Sequence, residues 1–172
     1  MLKRKIDSVF EDFLSDSSKK ALLVTGARQV GKTYSVRQFG NSHFDSFVEF
    51  NFIKNEESRT IFQNVSDEKD ILLRISALSD KPLVPGKTLI FFDEVQVCPE
   101  AITHIKFLVE EGSYRYILSG SLLGVELKNI RSVPVGYMTE AQMFPLDFEE
   151  FIRANGTAND VIEHLRNSFE NR

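Results

Sequence analysis

The residues best suited to chemistry form a short segment with a glycine at its start and another before its lysine, of the form G-x-x-x-x-G-K-[ST]. Glycines permit a tight turn that brings several main-chain N–H groups towards one point, where they can hold phosphate oxygens. The segment consists of Gly26, Ala27, Arg28, Gln29, Val30, Gly31, Lys32 and Thr33. It predicts a phosphate-binding loop in which Lys32 reaches the β- and γ-phosphates of a nucleotide and the Thr33 hydroxyl ligates Mg²⁺.

A magnesium nucleotide also needs an acidic group at the tip of a neighbouring strand, and Asp93 and Glu94 follow the apolar run Leu89–Phe92. In a parallel α/β sheet, ligands bind at the carboxyl ends of the strands. Asp93 is therefore predicted to hold Mg²⁺ through a water molecule. Glu94 is predicted to orient or deprotonate the attacking water as a general base.

A further strand is predicted to end in Ser119-Gly120-Ser121. A polar side chain at that position can contact the γ-phosphate or the attacking water, and Ser119 is the better placed of the two serines. A plain serine-glycine turn after a strand explains the same residues. Both interpretations stay open from the sequence.

Hydrophobic periodicity predicts the elements that position these motifs. Helices are expected at 3–14, 32–39 (stopped by Gly40), 55–64, 67–79, 99–112, 148–152 and 161–169, and strands at 21–24, 47–51, 89–92, 114–118 and 137–143. Apolar strands that alternate with helices favour a parallel sheet covered on both faces. The predicted fold class is α/β of the P-loop NTPase type: three layers, α/β/α, with a central, mostly parallel five-stranded sheet.

The length of 172 residues and the 42% hydrophobic content are typical of one globular domain. We expect residues 1–172 to form a single nucleotide-binding domain, with an N-terminal helical segment at 1–18 and the start of a C-terminal extension at 155–172. The 15 Phe residues are interpreted as core filling, and the one cysteine excludes an intrachain disulfide.

The sequence also bears on where the protein is located and on whether it contacts a membrane or nucleic acid. No apolar run approaches the about 20 residues of a membrane-spanning helix. Asp7, Glu11 and Asp12 interrupt the stretch where a signal peptide would be apolar. A cytoplasmic protein without a membrane partner is therefore expected. The net charge of −4 argues against a chain that coats nucleic acid, although a local basic patch keeps nucleic acid open as a partner.

Taken together, the motifs resemble those of a group of prokaryotic AAA-type ATPases. The shared features are an amphipathic leader with Arg4 and the blocks Thr25–Thr33, Phe92–Gln96, Leu118–Ser121 and Phe144–Phe151, which cover nearly the whole chain. The resemblance implies ATP rather than GTP as the nucleotide, with Lys32 and Thr33 at the phosphates and Mg²⁺. It also implies that Asp93 and Glu94 form the Walker B pair and that Ser119 is the sensor.

Two departures from that group bear on turnover. Its members usually carry a Gly-Arg pair before the Pro-Leu-x-Phe-Glu-Glu-Phe block, whereas this chain has Gly136-Tyr137. An arginine that could contact a phosphate, in the same or a neighbouring subunit, is therefore missing, and Arg131 is the candidate substitute. The group also typically continues into a further C-terminal domain, whereas this sequence stops at Arg172.

The function predicted from the sequence is Mg²⁺-dependent ATP binding and hydrolysis, coupled to a conformational change on an unidentified partner. ATP and ADP are the expected ligands, and a homo-oligomer or a protein partner is a candidate for the rest of the cycle. The alternative is a nucleotide-gated binding module with little turnover. A small-molecule kinase is the third hypothesis, weakened by the Asp-Glu pair and by the lack of an arginine-rich lid.

Overall fold

A central parallel sheet organises the chain in the computed structural model, which describes residues 3–121, 134 and 136–170. Its order is β2-β3-β4-β1-β5, and every neighbouring pair is parallel. The strands are β1 (Ala21–Gly26), β2 (Ser46–Asn51), β3 (Thr88–Asp93), β4 (Arg115–Ser121) and β5 (Met138–Met143). The sheet predicted to be mostly parallel is parallel throughout these five strands.

Helices precede, separate and follow the strands in the described part of the chain, and they cover both faces of the sheet. They are α1 (Ile6–Ser15), α2 (Lys32–His43), α3 (Glu68–Leu78), α4 (Pro99–Glu111), α5 (Phe148–Ala154) and α6 (Asn159–Glu170), with short 3₁₀ helices at Glu56–Phe62 and Val95–Val97. No helix in the described part of the chain has both the length and the apolar character needed to cross a membrane.

Two separate apolar clusters lie on the two faces of the sheet. Alternate strand residues point to opposite faces, so Leu22 and Val24 of β1 join α1 and α2 in one cluster. Leu23 of the same strand joins α3, α4 and the first 3₁₀ helix in the other cluster. The continuous apolar runs seen in the sequence thus belong to strands that are buried on both sides, which confirms the predicted three-layer α/β/α architecture.

Some of the phenylalanines are buried in the core and others are exposed. Phe52, Phe62 and Phe92 are buried and contact one another in stacked and edge-on arrangements. By contrast, Phe148 is 64% exposed and Phe169 is 69% exposed. The interpretation of all Phe residues as core filling is therefore wrong for the C-terminal part of the chain.

Two of the differences between the predicted and the observed elements have a clear local cause. Helix α2 passes through Gly40 and ends at His43. A Cβ at residue 40 would lie 2.3 Å from a ring carbon of Phe47, so this glycine permits a close approach of helix to sheet rather than a helix stop. The helix predicted at 55–64 is a 3₁₀ helix, Glu56–Phe62, which begins where the Asn55 side chain accepts a hydrogen bond from the Glu57 N–H.

The sheet places the predicted motifs at one edge. Gly26, Asp93 and Ser121 are the last residues of β1, β3 and β4, and these strands are neighbours in the order β3-β4-β1. Parallel strands bring their carboxyl ends to the same edge, where ligands bind in open α/β sheets. The loop after β1 and the acidic pair after β3 therefore face the same crevice.

Candidate active site at the phosphate loop

The phosphate loop leaves β1 at Gly26 and enters α2 at Lys32, and its backbone has a conformation that favours glycine at both ends. Gly26 has φ +151° and Gly31 has φ +99°. A Cβ on residue 26 would lie 2.2 Å from the Met143 carbonyl oxygen of β5, so only glycine fits where the loop leaves the sheet. Ala27, Arg28 and Gln29 are exposed, whereas Val30 is half-buried against the cluster below α1 and α2.

Lys32 points back into the loop. Its side chain is buried, and Nζ donates to the carbonyl oxygens of Gly26 at 3.1 Å and Ala27 at 2.7 Å. Burial lowers the pKa of this amine, and the nearby carboxylates of Glu94 and Asp93 act against that shift. The loop thus holds a partly desolvated cation at its centre.

Asp93 accepts hydrogen bonds from three different elements. It is 1% exposed. Its Oδ2 accepts from Thr33 Oγ1 of α2 at 3.0 Å and from Asn51 Nδ2 of β2 at 2.8 Å. Its Oδ1 accepts from the Ser119 hydroxyl of β4. The two residues predicted to hold Mg²⁺, Thr33 and Asp93, therefore lie in direct contact although 60 positions separate them in the sequence.

Ser119 lies behind the acidic residue rather than in the open crevice. Its side chain is fully buried, and its hydroxyl donates to Asp93. The sequence left two interpretations open for these residues, a contact with the γ-phosphate or the attacking water and a plain serine-glycine turn. The turn interpretation is wrong, because Ser119 and Gly120 lie within β4, which runs to Ser121. The phosphate or water contact stays a prediction, and the contact with Asp93 gives Ser119 a means of orienting that carboxylate.

Glu94 has a strained, left-handed backbone conformation. Its φ is +63°, in the left-handed region, which a residue with a side chain adopts at a cost of roughly 1–2 kcal/mol. The Gln96 side chain donates from its amide nitrogen to the Glu94 carboxylate, and its amide oxygen, Oε1, accepts from the Ser121 N–H at 3.4 Å. Strained positions of this kind cluster at functional sites. The Gln96 side chain connects Glu94, the predicted general base, to the end of β4.

The structure adds residues that the sequence interpretation did not assign to the site. Asn51 ends β2 next to Asp93, so the rule that polar strand ends meet at one edge could have identified it. Gln96 and Asn51 are both the kind of amide side chain that fixes a carboxylate. Arg4 contacts the phosphate loop at Val30, and Glu150 contacts Arg4. The sequence marked both residues within larger blocks but gave them no role at the loop.

Tyr137, which stands where the resembled group carries an arginine, lies far from the phosphate loop. Its carbonyl oxygen accepts from the Ala21 N–H, at the amino end of β1, and its hydroxyl donates to Glu110 at 2.5 Å. Since Gly26 pairs with Met143 six residues further on, position 137 is roughly 17–20 Å from the phosphate loop along the strand. An arginine there could not reach the loop of its own chain. Arg131 lies outside the described residues.

The class of protein follows from this geometry: a parallel α/β sheet with a glycine-rich phosphate loop between a central strand and the next helix is the P-loop NTPase fold. A family model described as an AAA domain matches residues 18–152, and the chain belongs to that family. Membership indicates nucleotide binding and hydrolysis.

Two known proteins are similar to this chain, one in sequence and one in structure. An uncharacterized protein of Methanocaldococcus jannaschii is 33% identical over 136 residues, which are 78% of this chain and 28% of that protein. The structure of PCH-2 from C. elegans superimposes with a TM-score of 0.48 at 13% identity, over 83% of this chain and 41% of that one. The chain thus spans less than half the length of either protein.

Proposed function

We propose that this chain binds MgATP, hydrolyses it, and couples the cycle to a conformational change on a partner. The observation that carries the proposal is the convergence of Lys32, Thr33 and Asp93. A buried cation, a hydroxyl and a buried carboxylate meet at the mouth of a glycine-rich loop, with Thr33 and Asp93 3.0 Å apart. Few chemical tasks other than holding a metal-bound polyphosphate require these three groups together.

Each residue then has a defined task. Main-chain N–H groups from Gly26 to Thr33 and the positive end of the α2 dipole bind phosphate oxygens, and Lys32 neutralises the β- and γ-phosphates. The oxygen atoms of Thr33 and Asp93 match the hard donors that Mg²⁺ prefers. Bound Mg²⁺ would neutralise charge on the phosphates. Glu94 would orient the attacking water and accept its proton.

The nucleobase has a candidate position next to the loop. A cavity of about 300 Å³ lies between α1 and α2 and begins one residue beyond Thr33. Tyr34, which is 58% exposed, contributes an aromatic ring to its lining, and Asp7 and Gln38 contribute hydrogen-bonding groups. A stacked purine with its exocyclic group directed at these side chains fits this lining. The choice of adenine depends on the family resemblance.

The first experiment is a nucleotide titration. Lys32→Ala should weaken MgATP binding by at least about tenfold, because a charge-assisted hydrogen bond is worth roughly 1.5–3 kcal/mol. Lys69→Ala, which removes an exposed lysine on α3, is the matched control and should bind ATP as the wild type does. Equal affinity in Lys32→Ala and the wild type would refute the assignment of the loop.

A second experiment separates binding from turnover. Glu94→Gln should retain MgATP and lose most of its phosphate release, because the amide is a poor proton acceptor. Equal turnover in the two proteins would remove Glu94 from the mechanism. Turnover measured across protein concentrations also tests for a site shared between subunits, since stimulation at high concentration would indicate one.

The alternative function, a nucleotide-gated binding module with little turnover, is favoured by one observation. The Glu94 carboxylate is already engaged by the Gln96 amide. If that contact persists in the MgATP complex, it would hold one oxygen of the Glu94 carboxylate away from the attacking water. Tight ATP binding with negligible phosphate release in the wild type, and higher release in Gln96→Ala, would support this alternative.

A further inference from the structure

The Arg4 guanidinium joins three segments that lie far apart in the sequence. Its side chain is 10% exposed, and Nε lies 3.1 Å from Glu150 Oε1. Nη1 donates to the Val30 carbonyl oxygen in the phosphate loop at 3.1 Å, and Nη2 donates to the Phe144 carbonyl oxygen at 2.8 Å. One planar cation thus connects the start of α1, the loop and the segment that leads into α5.

The bond to Val30 fixes the orientation of a peptide group in the loop. The chain has no cis peptide bonds among the described residues. In a trans peptide the C=O and the following N–H point in opposite directions. When Arg4 holds the Val30 oxygen, the Gly31 N–H must therefore point away from Arg4. Gly31 tolerates either orientation of this peptide because it has no side chain, so the loop alone does not select one.

Glu150 holds the guanidinium in place from the other side. Its carboxylate accepts from the Lys5 N–H at 2.7 Å and from the Asp147 N–H at 3.1 Å, the second bond as part of the capping box of α5. Burial opposes ionisation of Glu150, yet these N–H groups and Arg4 together lower its pKa. The carboxylate stays charged and cannot turn away without losing several bonds, so α5 and Arg4 are connected firmly.

We propose that Arg4 is a positioning residue that holds the Val30–Gly31 peptide with its N–H directed at the nucleotide phosphates, and that it connects α5 to the phosphate loop. This inference rests on the proposed function for its ligand, although the constraint on the loop exists without nucleotide. Arg4 acts through the main chain of the loop and does not need to touch the nucleotide. A shift of α5 would reach the loop through Glu150 and Arg4.

The test compares Arg4→Lys, Arg4→Met and Lys5→Met. Lysine keeps a positive charge beside the Glu150 carboxylate, so Arg4→Lys should fold more readily than Arg4→Met. Lysine cannot, however, serve three acceptors in one plane as arginine does. Lys5→Met is the matched control, because it removes the next cation along the chain, an exposed one paired with Asp147. The readouts are thermal unfolding, NMR relaxation dispersion of the loop amides without nucleotide, and MgATP affinity at a temperature where each protein is folded.

The expected result is exchange broadening at residues 30 and 31 in both Arg4 variants and MgATP affinity about tenfold weaker, with Lys5→Met like the wild type in both. A purely structural arginine would lower the unfolding temperature but leave the affinity of the folded protein within about twofold. That outcome, or loop amides without broadening, overturns the proposal. Broadening in the Arg4 variants of a protein that does not bind ATP would uphold the positioning role and refute the proposed function.

Discussion

Replacing Gly26 by alanine tests whether the close contact with β5 requires a glycine where the phosphate loop begins. The added Cβ would lie 2.2 Å from the Met143 carbonyl oxygen, and β5 must move by about 1 Å to restore an ordinary contact. Overpacking of this kind costs roughly 1–3 kcal/mol. The φ of +151° adds about 1–3 kcal/mol for a residue with a side chain. The total loss of about 2–6 kcal/mol should lower the unfolding temperature by roughly 4–24 °C, at about 2–4 °C per kcal/mol.

Gly86→Ala provides the control for this substitution. Gly86 also has a positive φ, +75°, but no atom lies within 4 Å of the Cβ that alanine would add. Gly86→Ala should therefore lower the free energy of unfolding only by the cost of its backbone conformation, about 1–2 kcal/mol. Thermal unfolding of both variants, with and without MgATP, measures the difference. If Gly26→Ala is no less stable than Gly86→Ala, then the contact with β5 does not constrain residue 26 and the reasoning is wrong.

Four further outcomes are expected. Burial lowers the pKa of Lys32, so its ammonium costs stability at neutral pH; Lys32→Met should match or exceed the wild type in urea unfolding. That advantage should shrink as pH rises towards 10.5, because the unfolded chain keeps a proton that the folded one has lost. Ser119→Ala removes one donor from Asp93 and should raise the Mg²⁺ concentration needed for half-maximal hydrolysis; lower turnover at unchanged Mg²⁺ dependence would instead indicate direct contact with the phosphate or the water. Burial raises the pKa of Cys98 to about 11, so a maleimide should label the native thiol at least about 100-fold more slowly than the urea-unfolded chain. Tyr34→Ala should weaken ATP binding more than binding of inorganic tripolyphosphate, and equal losses would remove the aromatic ring from the base site.

The sequence predicted the parts of the site that depend on short patterns. Lys32 and Thr33 follow from the loop motif, and Asp93 follows from an acidic residue placed after a buried strand. The structure brings Thr33 and Asp93 into contact because their elements meet at one sheet edge. Their roles at the metal and phosphates, and those of Arg28 and Gln29, stay predictions.

The parts that sequence reasoning missed depend on tertiary contacts. The Arg4–Glu150 pair spans 146 positions, and no local pattern connects two such distant charges. Gly40 is ambiguous in a single sequence, because a glycine both ends helices and permits close packing. Only the position of Phe47 on β2 decides between the two. The exposed rings of Phe148 and Phe169 could not be told from core residues, since periodicity identifies apolar faces but not what covers them.

The hydrogen bonds to Asp93 also bear on which cation this edge of the sheet can select. A carboxylate has about four acceptor directions, and Thr33, Asn51 and Ser119 occupy three of them. An ion that coordinates both carboxylate oxygens, as Ca²⁺ often does, would have to displace one of these donors. A small ion that retains its own water molecules can use the remaining direction through a single bridging water. If Mg²⁺ binds here as proposed, this crowding would discriminate between cations by their hydration rather than by their charge, and we expect the site to favour Mg²⁺ over Ca²⁺.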